Sequence, residues 1–147
     1  MTRTIVVGLG RSGLGAARLL KQQNRDVVVF ERGDNEALQH TSKTLGEEGI
    51  QVVLGQPLTL ESFHAWRDNV DAVVIGPGIP WDHPTLVGLR AEGIQVRGEM
   101  DLAWDALQQI PWIGITGTNG KTTVTHLLSH VLEASGLMAP MGGNMGL

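Results

Sequence analysis

The 147-residue chain has no cysteine, no excess of positive charge, and no apolar run near the ~18 residues a membrane helix needs. Without cysteine there is neither a disulfide framework nor a thiolate metal site, which fits a reducing compartment. Lys and Arg number 11 against 15 Asp and Glu, a formal net charge of −4, so nucleic-acid binding has no support as the main role. Glycines interrupt the opening MTRTIVVGLG too early for the apolar core of a signal peptide. Internal repeats and low-complexity linkers are also missing. These absences lead to the expectation of a soluble, cytoplasmic chain with neither nucleic acid nor membrane as partner.

What is present suits a folded α/β protein: 41% of residues are hydrophobic and 18% charged. Short β-branched runs predict strands over 4–8, 26–31, 50–54, 71–76 and 94–98. Helical spacing predicts helices over 12–23, 36–48, 60–67, 85–92 and 99–108, with a proline-rich loop over 77–84. Strands apolar throughout, alternating with helices, imply a doubly wound, Rossmann-like parallel sheet covered on both faces. This first domain is expected to span 1–109, and 110–147 to open a second α/β domain with strand WIGIT, a phosphate loop and a helix over 121–135. From 111 onward the chain carries one cation, Lys121, one anion, Glu133, and seven glycines. Val124, Leu127, Leu128, Val131 and Leu132 share one face of the second domain's helix, and such a stripe calls for a sheet beneath it. The expectation is an incomplete domain, poorly anchored over its 37 residues.

Two glycine loops carry the chemistry. Gly8, Gly10 and Gly13 form G-x-G-x-x-G between a strand and a helix, a tight turn that brings backbone close to a phosphate at a helix start. Glu31 ends the next strand, where a carboxylate can accept from a ribose hydroxyl. The pattern fixes a phosphate near a helix start but not which nucleotide, and by itself it favours NAD. Arg32 either meets a phosphate or is solvated.

TGTNGKTT, running Thr116, Gly117, Thr118, Asn119, Gly120, Lys121, Thr122, Thr123, follows the WIGI run and opens a helix. Backbone N–H groups there can wrap phosphate oxygens, Lys121 can reach the β- and γ-phosphates, and the Thr122 hydroxyl can ligate Mg²⁺. Ile115 stands where the usual G-x-x-x-x-G-K-[ST] pattern has glycine, so Gly117 takes the early-glycine role. His126 and His130 have an i, i+4 zinc spacing without an evident third ligand, and a solvated helix face is the simpler reading. Trp104 and Trp112 read as packing residues, and Trp81 lies in a loop that could border a ligand.

The stretches VVGLGRSG, GPGIPWDHP, VRGEMDLAW, GITGTNGKTTV and GGNMG, in this order, resemble the Mur ligase family, and within it the D-glutamate-adding branch. The resemblance implies that the first loop holds a UDP-sugar rather than NAD and that the second holds ATP. Gly10, Arg11 and Ser12 would then meet the UDP end, Glu31 and Arg32 the uracil side, and Pro77, Gly78 and Ile79 would form a substrate turn. Asn144 would face the substrate near ATP and act with Lys121 in catalysis, and Thr122 would hold Mg²⁺. Two positions depart from the family pattern: Gly76 replaces a common serine, and Arg32 stands where a smaller hydroxyl residue is usual.

The implied reaction is ATP-driven amide formation between UDP-N-acetylmuramoyl-L-alanine and D-glutamate in peptidoglycan biosynthesis. The implied full-length enzyme is a monomer, with further metal ligands beyond residue 147, so these 147 residues alone are expected to be inactive. Two other readings stay open: an NAD(P)-binding oxidoreductase or regulatory nucleotide module, and a non-catalytic UDP-sugar sensor.

Overall fold

The structure, a computed structural model, describes residues 3–142. It divides into two compact units, one through Leu107 and one from Gln108.

In the first unit, strands β1 (Arg3–Val7), β2 (Asp26–Phe30), β3 (Gln51–Val53), β4 (Val70–Ile75) and β5 (Gln95–Gly98) form one sheet in the order β3-β2-β1-β4-β5. Every pairing is parallel. Helices α1 (Arg11–Gln22), α2 (Glu36–Glu47), α3 (Leu60–His64), α4 (Pro84–Ala91) and α5 (Glu99–Leu107) make the crossovers and cap the last strand.

The alternation along each strand divides the core in two. Val6, Val27, Val29 and Val74 point to one face and pack with Ala16, Ala17 and Leu20 of α1, Leu45 of α2 and Leu102 of α5. Ile5, Val28, Phe30, Val73 and Ile75 point to the other, against Phe63 of α3, Leu86 and Leu89 of α4, and Ile94. Phe30 meets Phe63 at 5.2 Å and Trp66 at 5.6 Å between ring centroids. Strands buried on both faces are lined almost wholly by apolar side chains, with Thr4 a buried polar exception in β1, so they read in sequence as near-continuous apolar runs.

The expected helix over 60–67 ends at His64, and a short 3-10 turn over Arg67–Asn69 leads into β4. Trp104 and Trp112, expected as packing residues, stand 52% and 37% exposed. On α5 the buried position is Leu102, and Trp104 lies two residues on, about 200° around the helix.

The second unit has one helix, α6 (Lys121–Ala134), among its described residues. The expected strand WIGIT does not form: residues 111–117 have no regular secondary structure. A strand exists through its ladder, and no described segment of this unit pairs with these residues. The end of α6 is closed locally. Gly136, at φ +80°, donates its N–H to Glu133 and Leu137 donates to Leu132, a Schellman motif. Ser129 is buried and donates its hydroxyl to the Ala139 carbonyl at 2.8 Å, folding the following segment back on the helix. Val124, Leu127 and Val131 of the apolar stripe remain 50–62% exposed.

Candidate functional site

The chain order folds outward from β1 through β2 to β3, then crosses back to β4. That leaves a topological switch point between β1 and β4, and at the carboxyl ends of such strands a crevice opens for ligands. Three loops surround it. Gly8, at φ +97°, turns the chain out of β1, and its N–H bonds the Phe30 carbonyl at 2.7 Å. Gly13 has no room for a side chain, since a Cβ there would sit 1.9 Å from the Gly8 oxygen. This close packing seats α1 directly behind the loop.

Helix α1 starts at Arg11 after Gly10, which makes no side-chain cap, and its first turn carries no acidic residue. Its first N–H groups are therefore left to water or to a ligand. A cation in the first turn opposes the helix dipole, by roughly 0.3–1 kcal/mol at the surface. Exposed Arg11 and the open N–H groups together favour an anion. Ser12 lies on the same turn and faces Gly76 at the end of β4: a Cβ built on Gly76 would lie 3.7 Å from that of Ser12. Gly76 opens the expected substrate turn, closed by Ile79 N–H to the Gly76 carbonyl at 3.2 Å. Pro77 and Gly78 are exposed at its tip, while Ile79 packs on the apolar cluster of Ile5 and Phe30.

Glu31 has a role the sequence did not disclose. Its Oε2 accepts the Leu9 N–H at 2.7 Å and its Oε1 the Gly33 N–H at 2.8 Å. The carboxylate thus ties the glycine loop to the β2–α2 loop, and a ligand meets only its remaining lone pairs. Arg32 beside it is exposed. The fold thereby gathers Gly10, Arg11, Ser12, Glu31 and the 76–79 turn around one crevice. The signal for the tie lay in the backbone N–H of Leu9, 22 residues from Glu31, which no side-chain pattern reports.

A cavity of about 270 Å³ lies at the other end of the sheet, lined by Thr4, Arg25, Asp71, Arg97 and Asp105 among others. Its charges pair off, Arg25 with Asp71 at 2.6 Å and Arg97 with Asp105 at 2.5 Å, so it presents no open charge to an anion.

In the second unit, Gly117 and Gly120, at φ +146° and +74°, bend the 116–123 segment ahead of α6. Gly120 caps the helix without a side-chain bond, and again no acidic residue sits in the first turn. Lys121 folds back so that Nζ donates to the Gly117 carbonyl at 2.5 Å and more weakly to that of Thr118 at 3.4 Å. Thr116, Thr118, Asn119, Thr122 and Thr123 are all exposed around this turn, and Thr122 follows Lys121 at the helix start. His126 and His130 are exposed, and the described residues hold no cluster of three or more His, Asp or Glu able to bind a metal. Asn144 lies outside the described residues.

Two family models match the chain: the Mur ligase MurD-like N-terminal domain over residues 2–98, and the Mur ligase middle domain over 115–146. The chain belongs to the Mur ligase family. Among curated relatives, it is 91% identical over all 147 residues to UDP-N-acetylmuramoylalanine--D-glutamate ligase of Synechococcus sp. (strain CC9605), covering 32% of that protein. It is 46% identical to the ligase of the same name from Synechocystis sp. (strain ATCC 27184 / PCC 6803 / Kazusa), covering 31% of it. The chain thus spans about a third of the length of the curated relatives it matches.

A solved UDP-N-acetylmuramate:L-alanyl-gamma-D-glutamyl-meso-diaminopimelate ligase from Neisseria meningitides shares the fold. Its TM-score is 0.59 at 21% identity, over 100% of this chain and 45% of that one. The Mur ligase N-terminal match stops at Gly98, the last residue of β5. Helix α5 follows it and still buries Leu102 in the first unit's core.

Proposed function

We propose that this chain forms the nucleotide-sugar unit and the opening of the ATP-binding unit of an ATP-dependent ligase, acting in peptidoglycan biosynthesis, that joins D-glutamate to UDP-N-acetylmuramoyl-L-alanine. The observation that carries this reading is the pair of uncapped helix starts, one in each unit, each following a glycine turn and free of acidic residues. One phosphate-bearing substrate would need a single such start, and a nucleotide-sugar with ATP needs two.

The domains are taken as 1–109 and 110–147. Gly10, Arg11 and Ser12 hold the diphosphate, Glu31 and Arg32 border the uracil, and Pro77, Gly78 and Ile79 form the wall facing them. Thr116, Gly117, Thr118, Asn119, Gly120, Lys121, Thr122 and Thr123 take the ATP phosphates, and Asn144 faces the substrate. Exposed Thr122 offers the hard oxygen donor that Mg²⁺ prefers, and bound Mg²⁺ supplies charge neutralisation on the phosphate oxygens.

A free carboxylate is a poor electrophile, which is why the reaction needs ATP. The alanyl carboxylate attacks the γ-phosphorus and ADP leaves, giving an acyl phosphate. The D-glutamate amine then attacks the acyl carbon, inorganic phosphate leaves, and the nitrogen sheds a proton as the amide forms. Lys121 would move from the Gly117 carbonyl to the γ-phosphate, offsetting charge where it develops.

Calorimetric titration with UDP-N-acetylmuramoyl-L-alanine, and with NADH in parallel, tests the first loop. Heat with the UDP-sugar and none with NADH is the expected result. Binding of NADH alone would overturn the reading.

A further inference from the structure

We infer that Arg90 is a positioning residue: through Trp81 it holds the β4–α4 loop against the first glycine loop and thereby sets affinity for the UDP-sugar. The inference rests on the nucleotide-sugar reading of that loop. Arg90 sits in the last turn of α4, where a cation ordinarily serves the helix's own carbonyl end. Its guanidinium goes the other way. Nη2 donates to the Trp81 carbonyl at 2.6 Å, three residues before the helix begins, and Cζ lies 5.0 Å from the Trp81 ring centroid. One side chain therefore grips both the main chain and the indole of one loop residue. Cβ atoms tilt toward a helix N-terminus, which gives Arg90 the reach.

The loop has few other restraints. Its own bonds are single turns, Ile79 to Gly76 at 3.2 Å and His83 to Pro80 at 3.1 Å. The Thr85 N–H reaches His83 Nδ1 only at 3.3 Å. Ile79 is anchored in the apolar cluster at one end and His83 caps α4 at the other. Between these anchors, Arg90 supplies the side-chain hydrogen bond that enters the loop from outside, among the described residues. Its Nη1 is buried and makes no hydrogen bond among them. A buried donor of this kind calls for an explanation. Trp81 is two residues from Ile79 and five from Gly76, which faces Ser12. Releasing Trp81 therefore loosens the wall that Pro77 and Gly78 present to the crevice.

The test is the Arg90→Met chain, which keeps the aliphatic stem and loses both contacts, with Arg90→Lys beside it. Lysine keeps the charge but not the planar stack. The probes are UDP-N-acetylmuramoyl-L-alanine by calorimetry and amide hydrogen exchange at Ile79 and His83. Affinity is expected to fall about tenfold in Arg90→Met and by less in Arg90→Lys. Exchange at Ile79 and His83 should quicken while β4 stays protected. Should Arg90→Met fail to fold, the Lys variant and exchange in the parent chain, with and without UDP-sugar, carry the same test. If the parent binds the UDP-sugar and folded variants bind it equally well, the positioning role is wrong. If the parent itself does not bind, the nucleotide-sugar reading has failed, and this inference with it.

Discussion

The two units solve the same local problem with different amounts of support. Each has a glycine turn leading to a helix N-terminus with no side-chain cap. Behind the first, α1 rests Ala16, Ala17 and Leu20 on a sheet whose central strands, β1, β2 and β4, are buried on both faces. Behind the second, α6 turns Val124, Leu127 and Val131 outward. A phosphate loop needs little from its sequence beyond glycines and free N–H groups. Its precision comes from what holds the helix behind it, and that is where the units differ.

The contrast makes an unequal prediction for core and stripe. Phe30 is 2% exposed and packs with Phe63 and Trp66, so Phe30→Ala should cost about 3–5 kcal/mol in urea unfolding. The comparison breaks if the loss is under about 1 kcal/mol, because the first unit's core would then not be the support it is taken to be.

Next in size is the tie across the first crevice. Glu31→Gln keeps the shape but turns an amide N–H₂ toward one of two main-chain N–H groups, at Leu9 or Gly33. An unmade hydrogen bond of this kind costs about 1–3 kcal/mol when buried, and less here because the site is only partly buried. UDP-sugar affinity should fall with it, since the glycine loop loses its outer restraint. Unchanged stability and unchanged affinity in Glu31→Gln would remove the carboxylate from the site's construction.

The stripe should respond least. Leu127 is 62% exposed, and Leu127→Ser is expected to change stability by no more than about 0.5 kcal/mol. A loss near that of Phe30→Ala would mean that the stripe is covered in solution, and the contrast between the units would close.

How much of this was legible in the sequence follows the same division. The strands around Ile5, Val28 and Val73 could be read directly, because burial on both faces leaves a near-continuous apolar run. The first glycine loop could be read because Gly8 and Gly13 are each required, one by its φ and one by the Gly8 oxygen. WIGIT could not: its composition is that of a strand, but a strand needs a ladder partner that composition does not supply. The hydrogen bonds of the Glu31 tie and the Arg90 grip were also hidden, since they are made with main-chain groups, which no side-chain pattern reports.

Charge separates the units as well, and acid should expose it. All five ion pairs among the described residues lie in the first unit. In the one joining α1 to α2, Arg18 meets Glu48 through two contacts at 2.6 and 2.8 Å. The Arg18 hydrogen bond holds the Glu48 carboxyl below its ordinary range, aided by the opposite charge and partly offset by desolvation. A carboxyl lowered in the folded state stabilises fully above its unfolded value, and that contribution fades as pH falls through the folded one. Both side chains are exposed, so the effect is small and screened by salt. Melting curves of the parent and Glu48→Gln should therefore differ slightly at neutral pH in low salt. They should converge in acid below the carboxylate range, and also in high salt at neutral pH. A gap that persists in acid would assign the loss to packing between α1 and α2 rather than to charge. The second unit, with Lys121 and Glu133 as its charged side chains and no ion pair among its described residues, offers no comparable handle.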